Sequence, residues 1–181
     1  MIQPTLEGFR APETGTSPKR QPAAPARPLR LSLRIAEAPA VVDREPVSSS
    51  AEAAGRIRAT IGKADRECAV ILFLDPKNQL IGAELHAVGT VDSSGVYPRE
   101  VMKSALLWNA SSLIIGHNHP SGNPEPSACD REVTRDLVFA ARTLAIKVLD
   151  HVIVGPAPEI FSFADQGLID DYDLMFNGFP R

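Results

Sequence analysis

The sequence predicts an α/β domain in which a mixed central sheet is flanked by helices. From about residue 47 onward, apolar strand-like runs alternate with segments of helical periodicity, which is typical of a sheet covered on both faces. At 181 residues with 44% hydrophobic residues, the chain can form one hydrophobic core without disulfide support. Residues 47–175 are therefore predicted to form a single folded domain.

Residues 1–46 differ in composition and are predicted to be a disordered, proline-rich tail. They contain eight of the sixteen prolines and no Cys, His, Trp or Tyr. The segment 22–28, Pro-Ala-Ala-Pro-Ala-Arg-Pro, has too little apolar side chain to offset the entropy of ordering. Seven Lys/Arg against five Asp/Glu leave a balance of +2, a weak field for nucleic acid. Alternating apolar and polar residues at 29–35 could add a strand to a sheet edge.

The folded part is predicted to begin with a helix and a β-hairpin. Ser49 and Glu52 have the spacing of a capping box, and Gly62 marks the end of the helix. Its apolar face is formed by Ala53, Ile57 and Ile61. The β-rich run 68–74 is interpreted as a buried strand, and a turn containing Asp, Pro and Asn leads to a second strand at 80–91.

Helices and strands alternate through the rest of the chain. Pro98 fits the first turn of a helix, and 112–117 is predicted to be the central strand. Further strands are predicted at 146–154 and 160–163, before a terminal helical turn at 164–169. The apolar side of the helix after Pro98 is predicted to comprise Val101, Ala105, Leu106 and Trp108. That of the helix after the central strand comprises Val133, Leu137, Val138, Ala141 and Leu144.

Charge, cysteine content and hydropathy indicate which partners and which cellular compartment to expect for this chain. The net charge of −3 gives no overall signal for binding nucleic acid. Two cysteines, Cys68 and Cys129, do not form a disulfide framework and predict a reduced, cytoplasmic chain. The longest apolar run, 68–74, is far below the roughly 18 to 20 residues that span a bilayer. The N-terminus shows no charged region followed by an apolar one, so no secretory signal is expected.

The most informative stretch is 117–130, which reads His-Asn-His-Pro-Ser-Gly-Asn-Pro-Glu-Pro-Ser-Ala-Cys-Asp. Two imidazoles two residues apart on a strand point to one face, and Asp130 in the next helix can reach that face. A lone histidine is more often a surface or hydrogen-bonded core residue, but here two of the chain's four histidines cluster. His117, His119 and Asp130 are therefore predicted metal ligands that leave a fourth tetrahedral position open, as a catalytic zinc site requires.

Hydrolysis at such a site needs a group that takes a proton from water and passes it to the leaving amine. The candidates are Glu67, Glu84, Glu125 and Glu132. Glu67 stands at the mouth of the most apolar strand, although it could equally be a solvated charge at a strand end. Ser127 lies just ahead of the following helix, where serine is a favoured N-cap. His86 is interpreted as a surface residue.

The spacing H-x-H, seven residues, Ser, two residues, Asp resembles the JAMM (MPN+) metalloprotease motif. The string HNHPSGNPEPS with Leu-Asp-His-Val-Ile-Val-Gly at 149–155 resembles the RadC family of bacterial JAB-domain proteins, and the similarity runs from about 46 to 169. It implies the JAB/MPN fold, a cytidine-deaminase-like three-layer arrangement. It also implies a zinc ion on the three ligands, a catalytic glutamate in the place of Glu67, and a catalytic role for Ser127. No ligand role carries over to His151, which is interpreted as structural or as supporting a ligand.

The ligand set and the resemblance predict a zinc-dependent hydrolase. It would be a metallopeptidase or isopeptidase that cleaves an amide bond in a protein or peptide substrate with metal-activated water. An alternative is a DNA-repair or mobile-element accessory protein without a peptidase role, since RadC-like proteins carry a DNA-repair name. Longer family members have an N-terminal helix-hairpin-helix segment, for which residues 1–46 are too proline-rich. Nucleic acid thus remains an open partner that the net charge does not support, and no membrane partner is expected.

A third interpretation is a scaffold whose metal only stabilises the fold. A structural metal site needs neither an open coordination position nor a base. The full set of ligands, serine and glutamate in this sequence therefore favours a catalytic site.

Overall fold

The computed structural model describes residues 46–88 and 96–177, in which five strands form one sheet with four helices around it. The helices are α1 (Ser50–Ile61), α2 (Pro98–Leu107), α3 (Ala128–Thr143) and α4 (Leu168–Asn177). The strands are β1 (Cys68–Leu74), β2 (Leu80–Val88), β3 (Ser112–Asn118), β4 (Lys147–Val154) and β5 (Ile160–Ser162). The predicted α/β class is confirmed. The predicted tail, the strand at 29–35 and the end of the second strand lie outside the described residues.

The sheet is mixed, with the strand order β2-β1-β3-β4-β5. β1 is antiparallel to both β2 and β3, β4 runs parallel to β3, and β5 is antiparallel to β4. Every residue of β1 and of β3 is buried, because both strands have neighbours on each side and helices on each face. This explains why β1 is a continuous apolar run rather than an alternating one. β3 therefore ends in the middle of the sheet, where its last residues meet the surrounding loops.

Two hydrophobic clusters cover the two faces of the sheet. Residues of α2, α3 and α4 pack on the face that includes Phe73 and Ile115, whereas α1 packs on the face that includes Leu72 and Ile114. The packing of α1 on β3 is close, because a Cβ atom at Gly116 would lie 2.5 Å from the Ile57 side chain. The result is the predicted three-layer arrangement, in which β3 is held rigidly from both sides.

Three details differ from the sequence interpretation. Leu106 and Leu144 are 55% and 42% exposed, so their placement on the apolar sides of α2 and α3 was wrong. The His86 side chain is only 9% exposed and packs edge-on against Phe73, so it is not a surface residue. Trp108 is half-buried, stacks on Phe73 at 6.1 Å and donates its indole N–H to Glu84 at 2.6 Å. The rings of Phe73, His86 and Trp108 form a layer over the β1–β2 hairpin. This contact joins distant segments of the chain, so the hydrophobic periodicity of a single segment does not predict it.

The C-terminal helix also differs from its prediction. The sequence suggested one helical turn at 164–169, but α4 begins at Leu168, after Gly167 with a positive φ of 74°. The apolar side of α4 buries Ile169 and Tyr172. It was difficult to recognise in the sequence because the same segment contains three acidic residues, Asp170, Asp171 and Asp173. Among the described residues, no helix is both long enough and apolar enough to cross a membrane.

Candidate metal centre

The end of β3 and the first turn of α3 bring the three predicted ligands together. His117 and His119 face each other with their Nε2 atoms 2.9 Å apart. Asp130 places one carboxylate oxygen 3.4 Å from His117 Nε2 and the other 3.7 Å from His119 Nε2. The donor atoms of all three residues lie within 4.8 Å of one another, so this group could hold a metal ion.

The donor set and its spacing fit a metal ion. His119 Nδ1 lies 2.7 Å from the carbonyl oxygen of Asn123, which can only accept, so in the neutral ring Nδ1 carries the proton and Nε2 is free to bind. The contact of that Nε2 with His117 Nε2 is favourable only with a proton or a metal ion between the two nitrogens. Tetrahedral zinc ligands at about 2.0–2.2 Å would be roughly 3.3 Å apart, close to the observed separations. Two nitrogens and one oxygen also match the ligand types that zinc binds.

At His117 and Asp130, burial and local contacts favour the protonation states that a metal requires. Burial lowers the pKa of His117 to about 4 even though the Asp130 carboxylate acts in the opposite direction, so this imidazole is neutral at pH 7. Burial alone would raise the pKa of Asp130, but hydrogen bonds to His119 and from Ser127 act in the opposite direction, and the net effect lowers it. A neutral imidazole and an ionised carboxylate are the ligating forms.

A short, rigid loop delivers His119 and Asp130 to the site. Gly122 has a positive φ of 82°, and its N–H donates to the His119 carbonyl at 2.9 Å, which closes a turn directly after the ligand. The N–H of Glu125 donates to the side chain of Asn123 at 3.1 Å. Prolines 120, 124 and 126 restrict the rest of the loop. The ligands are thus held in place largely by the backbone.

Ser127 is the N-cap of α3 and also holds the Asp130 carboxylate. Its hydroxyl oxygen accepts from the Asp130 N–H at 3.1 Å, and its own O–H donates to Asp130 Oδ2 at 2.6 Å. The Ser127 N–H donates to the same oxygen at 2.7 Å, which completes a capping box. The helix start therefore orients a candidate ligand, and the catalytic role of Ser127 stays a prediction.

Ser127→Ala is expected to lower the free energy of unfolding by about 0.5–2 kcal/mol through loss of the cap. Because the substitution also removes one of the two hydrogen bonds that Ser127 donates to the Asp130 carboxylate, it should weaken metal binding by about 10- to 100-fold. The matched control is Ser49→Ala, since Ser49 caps α1 by accepting from the Glu52 N–H at 3.2 Å and is not part of the metal site. Urea unfolding and a metal-competition titration separate the two effects. Equal loss of metal affinity in both variants would contradict this role.

Glu67 is the candidate base that lies beside the ligands. It is half-buried, directly precedes β1, and lines a cavity of about 20 Å³ together with His117, Asp130 and Cys129. A cavity of that size has room for about one water molecule. The negative charge of Glu67 also contributes to raising the pKa of His119, after the larger effect of the hydrogen bond to Asp130.

The other three glutamates are placed differently. Glu84 lies on β2 and accepts the indole N–H of Trp108. Glu125 is exposed in the ligand loop, and Glu132 is exposed on α3, 3.8 Å from Arg135. None of them lines the cavity beside His117 and Asp130. A larger cleft of about 370 Å³ opens next to His119 and is lined by residues that include Arg58, Lys63 and Gly155.

Sequence reasoning missed Thr134 and left the role of His151 open. His151 Nε2 lies 2.8 Å from His117 Nδ1, and His151 Nδ1 lies 2.6 Å from the Thr134 hydroxyl, which also contacts the Asp130 carbonyl. Both residues are buried. Thr134 could have been found from its place four residues after Asp130 on a helix, where a Thr hydroxyl reaches back to a carbonyl.

Asp150, the residue before His151, fixes the neighbouring backbone. Its carboxylate accepts from the His151 N–H at 2.7 Å, from the Ser162 hydroxyl at 2.7 Å and from the Ala164 N–H at 2.9 Å. Burial raises its pKa, while these three hydrogen bonds act against that shift. The two neighbouring residues therefore have different roles. Asp150 connects β4 to the end of β5 and the residues after it, whereas His151 faces the candidate ligands.

A mixed sheet whose central strand ends in H-x-H, with an aspartate from the next helix completing a possible metal site, defines a JAB-type α/β domain. The chain belongs to the RadC-like JAB domain family, whose sequence profile matches residues 47–168. This confirms the resemblance that the motif indicated. The match ends at the first residue of α4 and includes all three candidate ligands.

Similar proteins come from diverse bacteria. UPF0758 protein YfjY of Escherichia coli is 37% identical over 154 residues, covering 82% of this chain and 96% of the relative. UPF0758 protein PM1152 of Pasteurella multocida is 44% identical over 113 residues, covering 62% and 50%. A UPF0758 protein of Rubrobacter xylanophilus is 45% identical over 126 residues, covering 70% and 55%. The chain thus spans about half the length of several curated relatives that it matches.

Proposed function

We propose that this domain is a zinc-dependent hydrolase that cleaves an amide bond in a peptide or an isopeptide. The observation that carries the proposal is that two of the three candidate ligands, His117 and Asp130, line one small cavity together with Glu67. The third candidate ligand, His119, adjoins them, with its Nε2 atom 2.9 Å from His117 Nε2. A zinc ion held by these three residues would have a coordination position left for water. A purely structural site would be closed by a fourth protein ligand.

Each residue has a defined task in this reaction. His117, His119 and Asp130 would hold zinc, which polarises a substrate carbonyl and lowers the pKa of water from about 15.7 towards about 7. Glu67 takes the proton of the attacking water and passes it to the leaving amine, which is general acid–base catalysis by a partly buried carboxylate.

Ser127 would donate its hydroxyl proton to the oxygen that becomes negative during the attack. That proton is donated to Asp130 in this structure, at 2.6 Å. During the attack the hydroxyl would turn from Asp130 to the reacting oxygen. One such donor contributes about 10²- to 10³-fold to turnover in a site that excludes water.

The substrate is expected to lie in the cleft beside His119. Arg58 and Lys63 border this cleft, and the backbone at Gly155 and Pro156 forms its other side. An extended chain bound there would present a carbonyl to the ligand cluster. This arrangement suits a protein or peptide substrate better than a small compact molecule.

The zinc-loaded domain is expected to cleave members of a peptide library that the chelator-treated domain leaves intact, with activity restored by adding zinc. Mass spectrometry of the products reads out the cleaved bonds. Titration of duplex DNA in parallel should show weak or no binding, given the net charge of −3. Tight DNA binding that falls steeply with salt, without any peptide cleavage, would instead support the DNA-associated accessory function.

A further inference from the structure

We propose that Thr134 and His151 are positioning residues that set which nitrogen of His117 carries the proton, and thereby make its Nε2 available to a metal ion. The inference rests on the proposed metal site and extends it beyond the ligands. Contacts run from His117 Nδ1 to His151 Nε2 at 2.8 Å, and from His151 Nδ1 to the Thr134 hydroxyl at 2.6 Å. The Thr134 hydroxyl then contacts the Asp130 carbonyl.

Two proton arrangements satisfy this chain of contacts, because a neutral imidazole has one donor and one acceptor nitrogen. In the outward arrangement, His117 donates from Nδ1 to His151, His151 donates from Nδ1 to Thr134, and Thr134 donates to the Asp130 carbonyl. In the inward arrangement, Thr134 donates to His151 and His151 donates to His117. The proton of His117 is then on Nε2, where it faces His119 at 2.9 Å.

Only the outward arrangement permits metal binding. It leaves a lone pair on His117 Nε2, whereas the inward arrangement places a proton on that atom. Each ring keeps one proton in both arrangements, so a change between them moves protons from one ring nitrogen to the other by exchange with solvent.

The contact between Thr134 and Asp130 favours the outward arrangement, in which the facing Nε2 lone pairs of His117 and His119 require a metal ion between them. A carbonyl oxygen only accepts, so a hydroxyl that donates its single proton there can only accept from His151. His151 and Thr134 are 2% and 0% exposed, so solvent does not readily replace a lost partner. The His151 ring is further held by stacking on Phe163 at 4.8 Å. Asp130 thus supplies both a ligand carboxylate and the carbonyl that anchors the proton arrangement of a second ligand.

Thr134→Val removes the acceptor for the His151 Nδ1–H with little change in side-chain shape. The outward arrangement would then bury an unpartnered N–H. The inward arrangement would leave only a ring nitrogen without a donor and would keep the His117 Nε2–H donated to His119, so the rings are expected to adopt it and zinc affinity to fall by about 10- to 100-fold. Thr134→Ser retains the hydroxyl and should bind zinc like the unmodified protein. Affinity is measured by competition with a chromophoric chelator, and circular dichroism of the metal-free variants checks the fold. Wild-type affinity in Thr134→Val would overturn the inference.

The proton positions can be read directly from the unmodified protein. Long-range ¹H–¹⁵N NMR of the zinc-loaded domain should show His117 and His151 protonated on Nδ1. Zinc binding with His151 protonated on Nε2 would overturn this inference and leave the metal site intact. Absence of zinc binding by the unmodified protein would instead refute the metal site itself, so the two failures are distinguishable.

Discussion

Replacing Glu67 with glutamine is expected to lower amide hydrolysis by about 10²- to 10⁴-fold, the contribution of general acid–base catalysis. Glutamine has nearly the same shape but cannot take up and release the proton of the attacking water. Glu67 is not among the three candidate ligands, so metal content and the unfolding transition should be unchanged. The measurement is kcat on a cleaved library peptide together with metal analysis of the same preparation.

Two other glutamates provide matched controls. Glu84→Gln should leave turnover unchanged, because glutamine still offers an oxygen to the Trp108 indole N–H and Glu84 does not line the cavity. Glu125→Gln is the more demanding control, since Glu125 lies in the ligand loop, although its side chain is exposed. If Glu67→Gln turns over normally while Glu125→Gln is inactive, the base has been assigned to the wrong residue.

The fold could be predicted from sequence because its strongest signals are local. The run 68–74 is apolar throughout because β1 is covered on both faces, and Ser49 with Glu52 marks the start of α1 within four residues. The H-x-H pair could be interpreted for the same reason, since two residues on one strand share a face whatever the rest of the chain does. Each of these inferences depends only on neighbours in the chain.

The sequence could not show which distant residues meet. Parallel pairing of β3 with β4 sets His151 opposite Ile115, which places it on the same face as His117. A shift of that register by one residue would turn His151 to the opposite face of the sheet. The burial of His86 likewise depends on how α2 and Trp108 cover the β1–β2 hairpin. Hydrophobic periodicity predicts which side of a single helix or strand is exposed. The prediction is wrong where another part of the chain covers that side.

The same distinction applies within the candidate site. The candidate ligands lie in one short stretch of sequence, but the contacts that orient them come from Asn123, Ser127, Thr134 and His151. Two of these four belong to the motif stretch, and the other two come from the body of α3 and from β4. A motif therefore identifies which side chains can bind a metal. The fold determines which ring nitrogen of each histidine is unprotonated and whether that nitrogen faces the site.

Removal of one ligand is expected to have the largest effect on the protein. The unmodified domain should purify with about one zinc per chain, and His119→Ala should lose it, because two remaining ligands cannot hold a tetrahedral site. His119 is the appropriate ligand to test, since its side chain is 15% exposed whereas that of His117 is 4% exposed. Truncating His117 would also leave a buried cavity and confuse metal loss with unfolding.

His86→Ala is the matched control for the loss of an imidazole, because His86 lies on β2 beside Phe73 and is not in the ligand cluster. Metal analysis should give about one zinc per chain for the control and none for His119→Ala. Thermal unfolding provides an independent measurement, since zinc at about 100 times its dissociation constant stabilises a folded protein by about 2.7 kcal/mol. Because His86 is also largely buried, the stabilisation is measured within each variant as the difference between zinc-loaded and chelator-treated protein. It should persist in His86→Ala and disappear in His119→Ala. Equal zinc content in the two variants would refute the assignment of the site, and with it the proposed hydrolytic function.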